Sequence, residues 1–210
     1  MIRVLIADDH AILRRGLKEI LVRDLEGAAC GEAENAQQLL AQVRSRDWDV
    51  VILDINMPGR SGIDVLGDLK RSRPKLPVLV LSMYPEDQYG KRLLKAGAAG
   101  YMNKESAPEE LIRAIRKVLA GGRYVSATLA EKLALDLNEN TARPAHEILS
   151  DREFEVLRLI ASGKTVSQAA EGLHLSVTTV STYRARILEK MQMTTTAELM
   201  RYALEHHLVD

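Results

Sequence analysis

The chain has 210 residues, which is long enough for two domains that each bury a core of their own. A hydrophobic fraction of 46% and a charged fraction of 28% are ordinary for a globular protein and exclude a fibrous or disordered chain. The formal net charge of zero gives no sign of a polyanionic partner. With a single cysteine, Cys30, no signal peptide and no long apolar run, the sequence predicts a cytoplasmic protein without membrane contact.

Residues 1–121 alternate short apolar runs with amphipathic stretches, a pattern typical of repeated βαβ units. Strands are predicted at residues 3–7, 28–32, 50–53, 78–81 and 100–102. Helices are predicted at residues 11–23, 36–46, 63–71, 88–96 and 108–119. Because runs such as VLVL lack polar alternation, helices should cover both faces of the sheet. The expected fold is α/β, a doubly wound (βα)5 parallel sheet.

The pattern changes after Gly121 and Gly122. Residues 122–146 are predicted to form a linker that contains one helix, followed by the polar stretch NENTARPAHE. Residues 147–210 carry no strand signal and begin with a Ser-x-x-Glu capping box at Ser150 and Glu153. After the helix that this box starts, three more are predicted at residues 166–171, 177–191 and 196–206. The second domain is therefore expected to be a small all-α lobe of four helices.

Polar side chains follow four of the five predicted strands, at the point where each strand ends. Asp8 and Asp9 follow the first strand, Asp54 the third, Ser82 the fourth and Lys104 the fifth. Carboxyl ends of parallel strands meet at one edge, so these groups should lie together. Three carboxylates repel one another unless a cation is present, and Mg²⁺ prefers carboxylate and carbonyl oxygens. The lysine and the serine would hold a transferring phosphoryl group.

A single aspartate at a strand end usually only forms a turn. A chemical role is predicted for Asp54 because four other polar groups are expected at the same edge of the sheet. His10, beside the two acids, is a candidate metal ligand, but its position favours a residue that begins a helix without a chemical role. Tyr84 and Tyr89 are expected on the surface or at the rim of the site.

Residues 1–121 resemble the receiver domain of bacterial two-component response regulators, with DDH, DINMPG, VLS and GYMNK in the family's order. The resemblance implies that Asp54 is the phosphoacceptor and takes a phosphoryl group from a cognate sensor histidine kinase in the presence of Mg²⁺. It also implies that Asp9, Asp54 and the Asn56 carbonyl ligate the ion, with Asp8 acting through water.

The same resemblance assigns the phosphoryl contacts and the switch. Lys104 and Ser82 would contact the phosphoryl oxygens. Tyr101 occupies the family's aromatic switch position, and it would follow Ser82 into the space that the serine vacates on phosphorylation.

Residues 149–208 resemble the LuxR-type helix-turn-helix output domain through LSDREFEVLRLIASGK and LHLSVTTVSTYRARILEKM. The whole chain is thus similar to the NarL/FixJ class of response regulators. The motif spans about residues 166–185, and its second helix would lie in the DNA major groove. On that helix Val177, Val180, Ile187 and Met191 share one face and should be core. The residues assigned to DNA binding are Thr178, Thr179, Ser181, Thr182, Tyr183, Ala185, Arg186 and Lys190.

This lobe departs from the family in ways that bear on its choice of DNA sequence. The family usually has lysine at Ser181, histidine at Tyr183 and Asn-Lys-Glu at residues 166–168. Residues 147–210 hold 7 Lys/Arg and 9 Asp/Glu, a formal charge of −2, whereas DNA-binding domains are usually basic. Arg184, Arg186 and Lys190 nevertheless outnumber the one acid of the second motif helix. The alternative is a four-helix dimerisation module.

These features favour a phosphorylation-controlled transcription factor that binds double-stranded DNA, as a homodimer once phosphorylated. Beyond its own Mg²⁺-dependent phosphoryl transfer and slow dephosphorylation, the chain is not expected to be an enzyme. One alternative is an aspartyl-phosphate phosphatase of the haloacid dehalogenase type, whose Asp-x-Asp motif follows the first strand. Another is a receiver that ignores phosphate and regulates by protein contact alone. Such receivers usually lack one of the acids or the lysine, and here all of them are present.

Overall fold

The computed structural model describes residues 1–57, 60, 62–83, 86–106, 108–138 and 144–209. The chain divides into two compact units, Met1–Glu139 and Asn140–Asp210. No helix among the described residues has both the length and the apolar character needed to cross a bilayer.

The first unit contains a five-stranded parallel sheet in the order β2-β1-β3-β4-β5. Its strands are β1 (Ile2–Ala7), β2 (Ala28–Ala33), β3 (Val50–Asp54), β4 (Val78–Ser82) and β5 (Gly100–Asn103). Strands β3 and β4 are buried along their whole length, as expected for strands covered on both faces. The predicted doubly wound α/β fold is confirmed.

Five helices connect and follow these strands. They are α1 (Ala11–Asp24), α2 (Ala36–Ser45), α3 (Gly62–Ser72), α4 (Glu86–Lys95) and α5 (Pro108–Leu119). Apolar residues of α1 and α5 pack with β1, β3, β4 and β5 in one core cluster. Tyr89 of α4 belongs to the interior with 1% of its surface exposed, so its predicted place on the surface or rim is wrong. Tyr84 lies outside the described residues.

The chain stays attached to the sheet after α5. Tyr124 donates its N–H to the Ala99 carbonyl at 2.9 Å and accepts the Tyr101 N–H at 3.1 Å, a short parallel bridge along β5. The predicted helix follows as α6 (Ala127–Asn138) and packs against α4 with Leu129 buried. The first part of the stretch predicted as a linker is thus packed on the sheet unit.

The second unit consists of a short 3-10 helix (Ala145–Ile148) and four α-helices. The α-helices are α7 (Asp151–Ala161), α8 (Val166–Gly172), α9 (Val177–Lys190) and α10 (Thr196–Glu205). Each begins with a Ser or Thr side chain that accepts a backbone N–H of the first turn, and the predicted capping box of α7 is confirmed.

The same four helices also end alike, with a residue in the left-handed backbone region. These residues are Gly163 (φ 82°), His174 (φ 53°), Gln192 (φ 54°) and His207 (φ 51°). In each case the next residue's N–H bonds to a carbonyl five positions back, as Leu175 does to Ala170 at 2.8 Å. Glycine adopts this conformation without steric cost, yet three of the four positions carry a larger residue.

The core face of α9 is confirmed for Val180, Ile187 and Met191, whose exposed fractions are 0%, 0% and 6%. Val177 on the same face is 50% exposed, so its predicted place in the core is wrong. Val177 is the first residue of the helix, and half of its surface stays open to solvent.

Candidate functional site

The carboxyl edge of the sheet brings three charged groups into direct contact. Lys104 Nζ lies 2.7 Å from Asp8 Oδ2 and 2.6 Å from Asp54 Oδ2. All three side chains are almost fully buried, with 6%, 2% and 0% exposed. The strand register explains the arrangement, since β1 lies beside β3 and Asp54 is opposite Leu81 of β4.

Burial and charge oppose each other at this edge. Burial raises the pKa of Asp54 above its ordinary value, and the Lys104 ammonium offsets part of that rise. Burial alone would lower the pKa of Lys104, but Asp54 and Asp8 outweigh it, so the lysine pKa is raised. Lys104 therefore stays protonated at neutral pH and supplies a permanent positive charge beside the Asp54 carboxylate.

The acids are arranged as a hard metal ion requires. Asp8, Asp9, His10 and Asp54 each offer a ligand atom, and these atoms lie within 4.8 Å of one another. Asp9 Oδ1 is buried and accepts no hydrogen bond from the described residues. The nearby His10 Nδ1 lies 2.9 Å from this oxygen, but its hydrogen bond is with Asp8 Oδ1 at 3.2 Å. An orphaned carboxylate oxygen inside an acidic cluster fits a divalent cation.

Asn56 flanks this cluster, and His10 is part of it. Asn56 donates its N–H to Asp54 Oδ1 at 2.9 Å, which turns the chain sharply after β3 and keeps Asn56 beside the acid. His10 is the N-cap residue of α1, as its position in the sequence suggested, although its ring also lies against Asp8 and Asp9.

The residues assigned to the phosphoryl contact and the switch are buried in neighbouring strands. Ser82 ends β4 with 0% of its surface exposed, and its carbonyl accepts the Lys104 N–H at 2.9 Å. Tyr101 in β5 is 1% exposed and pairs with Val80 of β4. The backbone of Tyr101 is also bonded to Tyr124, as described above.

Sequence reasoning missed Arg14, a buried cation behind the acidic edge. Its Nη1 donates to the Asp8 carbonyl at 2.7 Å, its Nη2 donates to Glu34 Oε1 at 2.8 Å, and its Nε lies 3.6 Å from Glu32 Oε2. The guanidinium thus fixes the end of β1 that carries the acids. The helical spacing contained the signal, because Arg14 shares the buried face of α1 with Leu17 and Leu21.

In the second unit, α9 presents a polar stripe to solvent. Thr178, Ser181, Thr182, Ala185 and Arg186 are exposed on one face of the helix. Thr179 and Tyr183 are half-buried beside this stripe, and Thr179 Oγ1 lies 2.7 Å from the N-cap hydroxyl of Ser176.

Several polar groups of α9 already have partners within the unit. Thr182 Oγ1 donates to the Thr178 carbonyl at 2.9 Å, so toward any further partner this hydroxyl can only accept. Arg184 Nε donates to Thr196 Oγ1 at 2.9 Å, and Lys190 Nζ donates to Glu153 Oε2 at 2.7 Å. Of the three cations on this helix, only Arg186 has no described hydrogen bond or ion pair.

Comparison with known protein families agrees with both units. Residues 4–116 match the response regulator receiver domain, and residues 147–203 match the bacterial regulatory proteins of the luxR family. The chain is a two-component response regulator of the NarL/FixJ class. Its second unit is a LuxR-type DNA-binding domain, and the protein is a transcription regulator.

This response regulator is similar along its length to proteins of several bacteria. Response regulator GacA of Pseudomonas aeruginosa is 40% identical over 212 residues, which cover 100% of this chain and 99% of that protein. Response regulator UvrY of Escherichia coli is 35% identical over 211 residues, covering 99% and 96%. The structure of RcsB from Salmonella enterica serovar Typhimurium, bound to promoter rprA with the phosphomimetic BeF3−, has a TM-score of 0.64, 30% identity and coverage of 96% and 98%.

Proposed function

We propose that this response regulator accepts a phosphoryl group on Asp54 from a cognate sensor histidine kinase and thereby changes its dimerisation and its binding to operator DNA. The observation that carries the proposal is the contact of Lys104 Nζ with Asp54 Oδ2 at 2.6 Å inside the acidic cluster. A buried carboxylate beside a fixed ammonium can act as a nucleophile. The ammonium of Lys104 then stabilises the negative charge of the acyl phosphate that forms.

The transfer needs one bond to form and one to break. An Asp54 oxygen attacks the phosphorus of a phosphohistidine, the P–N bond breaks, and the electron pair returns to the donor imidazole, which takes a proton from solvent. Lys104 and the Ser82 hydroxyl hold the phosphoryl oxygens that gain negative charge. A donor that approaches beside α1 would meet Ile12, an apolar side chain that is 88% exposed.

Mg²⁺ is the cation that fits the cluster. Asp9, Asp54 and the Asn56 carbonyl would hold it directly, and Asp8 would act through water. When bound, the ion neutralises charge that develops on the phosphoryl group. Arg14 and Lys104 keep the carboxylates in place for it.

The output follows from the buried pair Ser82 and Tyr101. We propose that Ser82 moves toward the phosphoryl group and that Tyr101 follows into the vacated space. A phosphorylated homodimer would present two α9 helices to half-sites about 34 Å apart, with the exposed stripe of α9 in the major groove. In support, the similar protein RcsB binds promoter DNA in the presence of a phosphomimetic.

The test treats the full chain with acetyl phosphate and Mg²⁺ and counts phosphoryl groups by intact mass. We expect a single modification that disappears in Asp54→Asn and persists in Asp64→Asn, an exposed aspartate of α3. Selection of DNA fragments with and without BeF3− should then show stronger binding with it. Modification of the Asp54→Asn variant would refute the assignment, and steady turnover of a phosphate ester would favour a phosphatase.

A further inference from the structure

Glu153 is a buried carboxylate that joins two distant parts of the DNA-binding unit. It is 3% exposed, and its Oε2 accepts both the Ser150 N–H and Lys190 Nζ, each at 2.7 Å. Ser150 is the N-cap of α7, and Lys190 is the last residue of α9. One oxygen atom therefore links the start of the unit's first α-helix to the end of the helix proposed to enter the groove.

The two partners balance a charge that would otherwise be costly. Burial alone would raise the pKa of Glu153, but the hydrogen bonds from Lys190 and Ser150 outweigh it and hold this pKa below its ordinary value. The Lys190 side chain is 42% exposed, so the buried member of the pair is the carboxylate, and removing the lysine leaves that carboxylate without its counter-charge. Losing one partner in this way is more damaging than replacing both. Helices α7 and α9 pack directly on each other, so this charge acts on the α7–α9 interface.

The position of Lys190 argues against a contact with the bases of DNA. Recognition helices read bases with their N-terminal residues, and Lys190 lies about 20 Å along the axis from the first residue of α9. Its ammonium is already bound by Glu153, whereas Arg186 on the exposed stripe has no described partner.

We infer that Lys190 is a positioning residue, which fixes the recognition helix through Glu153 and does not contact a DNA phosphate. The inference rests on the proposed DNA binding by α9. It makes Glu153 a shared anchor that, together with the direct packing of the two helices, holds the angle between α7 and the recognition helix.

The experiment uses the full chain with Mg²⁺ and BeF3−, and a duplex that the unaltered protein has selected from a random-sequence library. Affinity is measured against salt concentration for Lys190→Met, Lys190→Arg and Glu153→Gln/Lys190→Met, with Arg186→Met as the matched control. Glutamine keeps the capping box of α7 while removing the buried charge. Circular dichroism sets a temperature at which every variant stays folded.

We expect Lys190→Met to weaken binding at least about tenfold without changing the log–log salt slope, because it leaves the buried Glu153 carboxylate without a counter-charge. The double variant should recover most of that loss, and Lys190→Arg should bind like the unaltered protein. Arg186→Met should make the slope shallower by about one unit per subunit, since it removes a phosphate contact.

A slope for Lys190→Met as shallow as that of Arg186→Met, with no recovery in the double variant, would overturn the inference. Unchanged binding by Lys190→Met would overturn it as well. Should the single variant not fold, the folded double variant decides: near-normal affinity and slope support positioning, and a shallower slope contradicts it. Failure of the unaltered protein to select any DNA would contradict the proposed function itself.

Discussion

Gly90 of α4 faces Leu129 of α6 so closely that a methyl group at position 90 would lie 2.6 Å from Leu129 Cδ2. A glycine inside a helix is less stable than alanine by about 0.5–1 kcal/mol, and at this position the close approach of α6 accounts for it. Ser126, just before α6, also donates its N–H to Glu86 Oε1 of α4 at 3.0 Å. Helix α6 is therefore held against α4 by two contacts, the close packing of Leu129 on Gly90 and the hydrogen bond from Ser126 to Glu86.

We expect Gly90→Ala to loosen α6, because overpacking of a buried contact costs about 1–3 kcal/mol. Amide hydrogens of residues 127–131 should exchange faster, as measured by mass spectrometry. The control is Gly67→Ala in α3, where the nearest atom to the new methyl group is Arg71 Nη1 at 4.0 Å. That variant should gain about 0.5–1 kcal/mol of stability, and equal responses of the two variants would contradict the contact.

Thr182→Val should separate sequence reading from general affinity. The Thr182 hydrogen is already donated to the Thr178 carbonyl, so only the hydroxyl oxygen is left to accept a bond from a base. Valine keeps the shape and removes this acceptor. We expect a loss of about 1 kcal/mol on the selected duplex and little on a shuffled duplex, measured by fluorescence anisotropy. Equal losses on both duplexes would show that Thr182 does not read bases.

His174→Gly should stabilise the DNA-binding unit, because His174 holds a left-handed backbone with φ 53° in the turn between α8 and α9. Relief of the steric cost is worth about 1 kcal/mol. Gly163→Ala, at φ 82° after α7, should change stability in the opposite direction. Hydrogen exchange of the α8 and α9 amides in the full chain reports both changes, and destabilisation by His174→Gly would contradict the strain.

The Glu153 ion pair should give the DNA-binding unit a defined dependence on acid. Because the native pKa of Glu153 lies below the ordinary 4.5, the unfolded chain takes up the proton first as the pH falls. The stabilisation is therefore complete above about pH 4.5 and is lost as the pH falls through the lower native pKa. Glu153→Gln cannot titrate, so its deficit in unfolding free energy should be constant near neutral pH and shrink in acid. Urea unfolding at several pH values measures it, and a deficit that grows in acid would contradict the pairing.

The acidic edge could be predicted because it depends on a local rule. Each strand ends where an apolar run meets a polar residue, and a parallel sheet places all such ends at one edge. Asp8, Asp54 and Lys104 therefore meet as their positions in the sequence require, although Lys104 is 96 residues from Asp8 and 50 residues from Asp54.

Other features depend on which neighbour covers a face, and helical periodicity carries no information on that. It placed Val177 with Val180, but Val177 is 50% exposed whereas Val180 is 0% exposed. Periodicity also grouped Tyr89 with the polar residues of α4, but Tyr89 is buried in the interior. The bond between Lys190 and Glu153 spans 37 residues and two helices, so charge counting on α9 alone treated the lysine as available for DNA.

The bridge between Tyr124 and β5 also covers backbone hydrogen-bonding groups at one edge of the sheet. β5 is the last strand of the sheet, and an uncovered last strand offers backbone donors and acceptors to any other extended chain. The backbone of Tyr124 is hydrogen-bonded to the Tyr101 N–H and the Ala99 carbonyl, and α6, which comes next in the chain, packs against α4. A receiver fragment cut after residue 121 would retain all five strands and expose this edge to intermolecular strand pairing and aggregation.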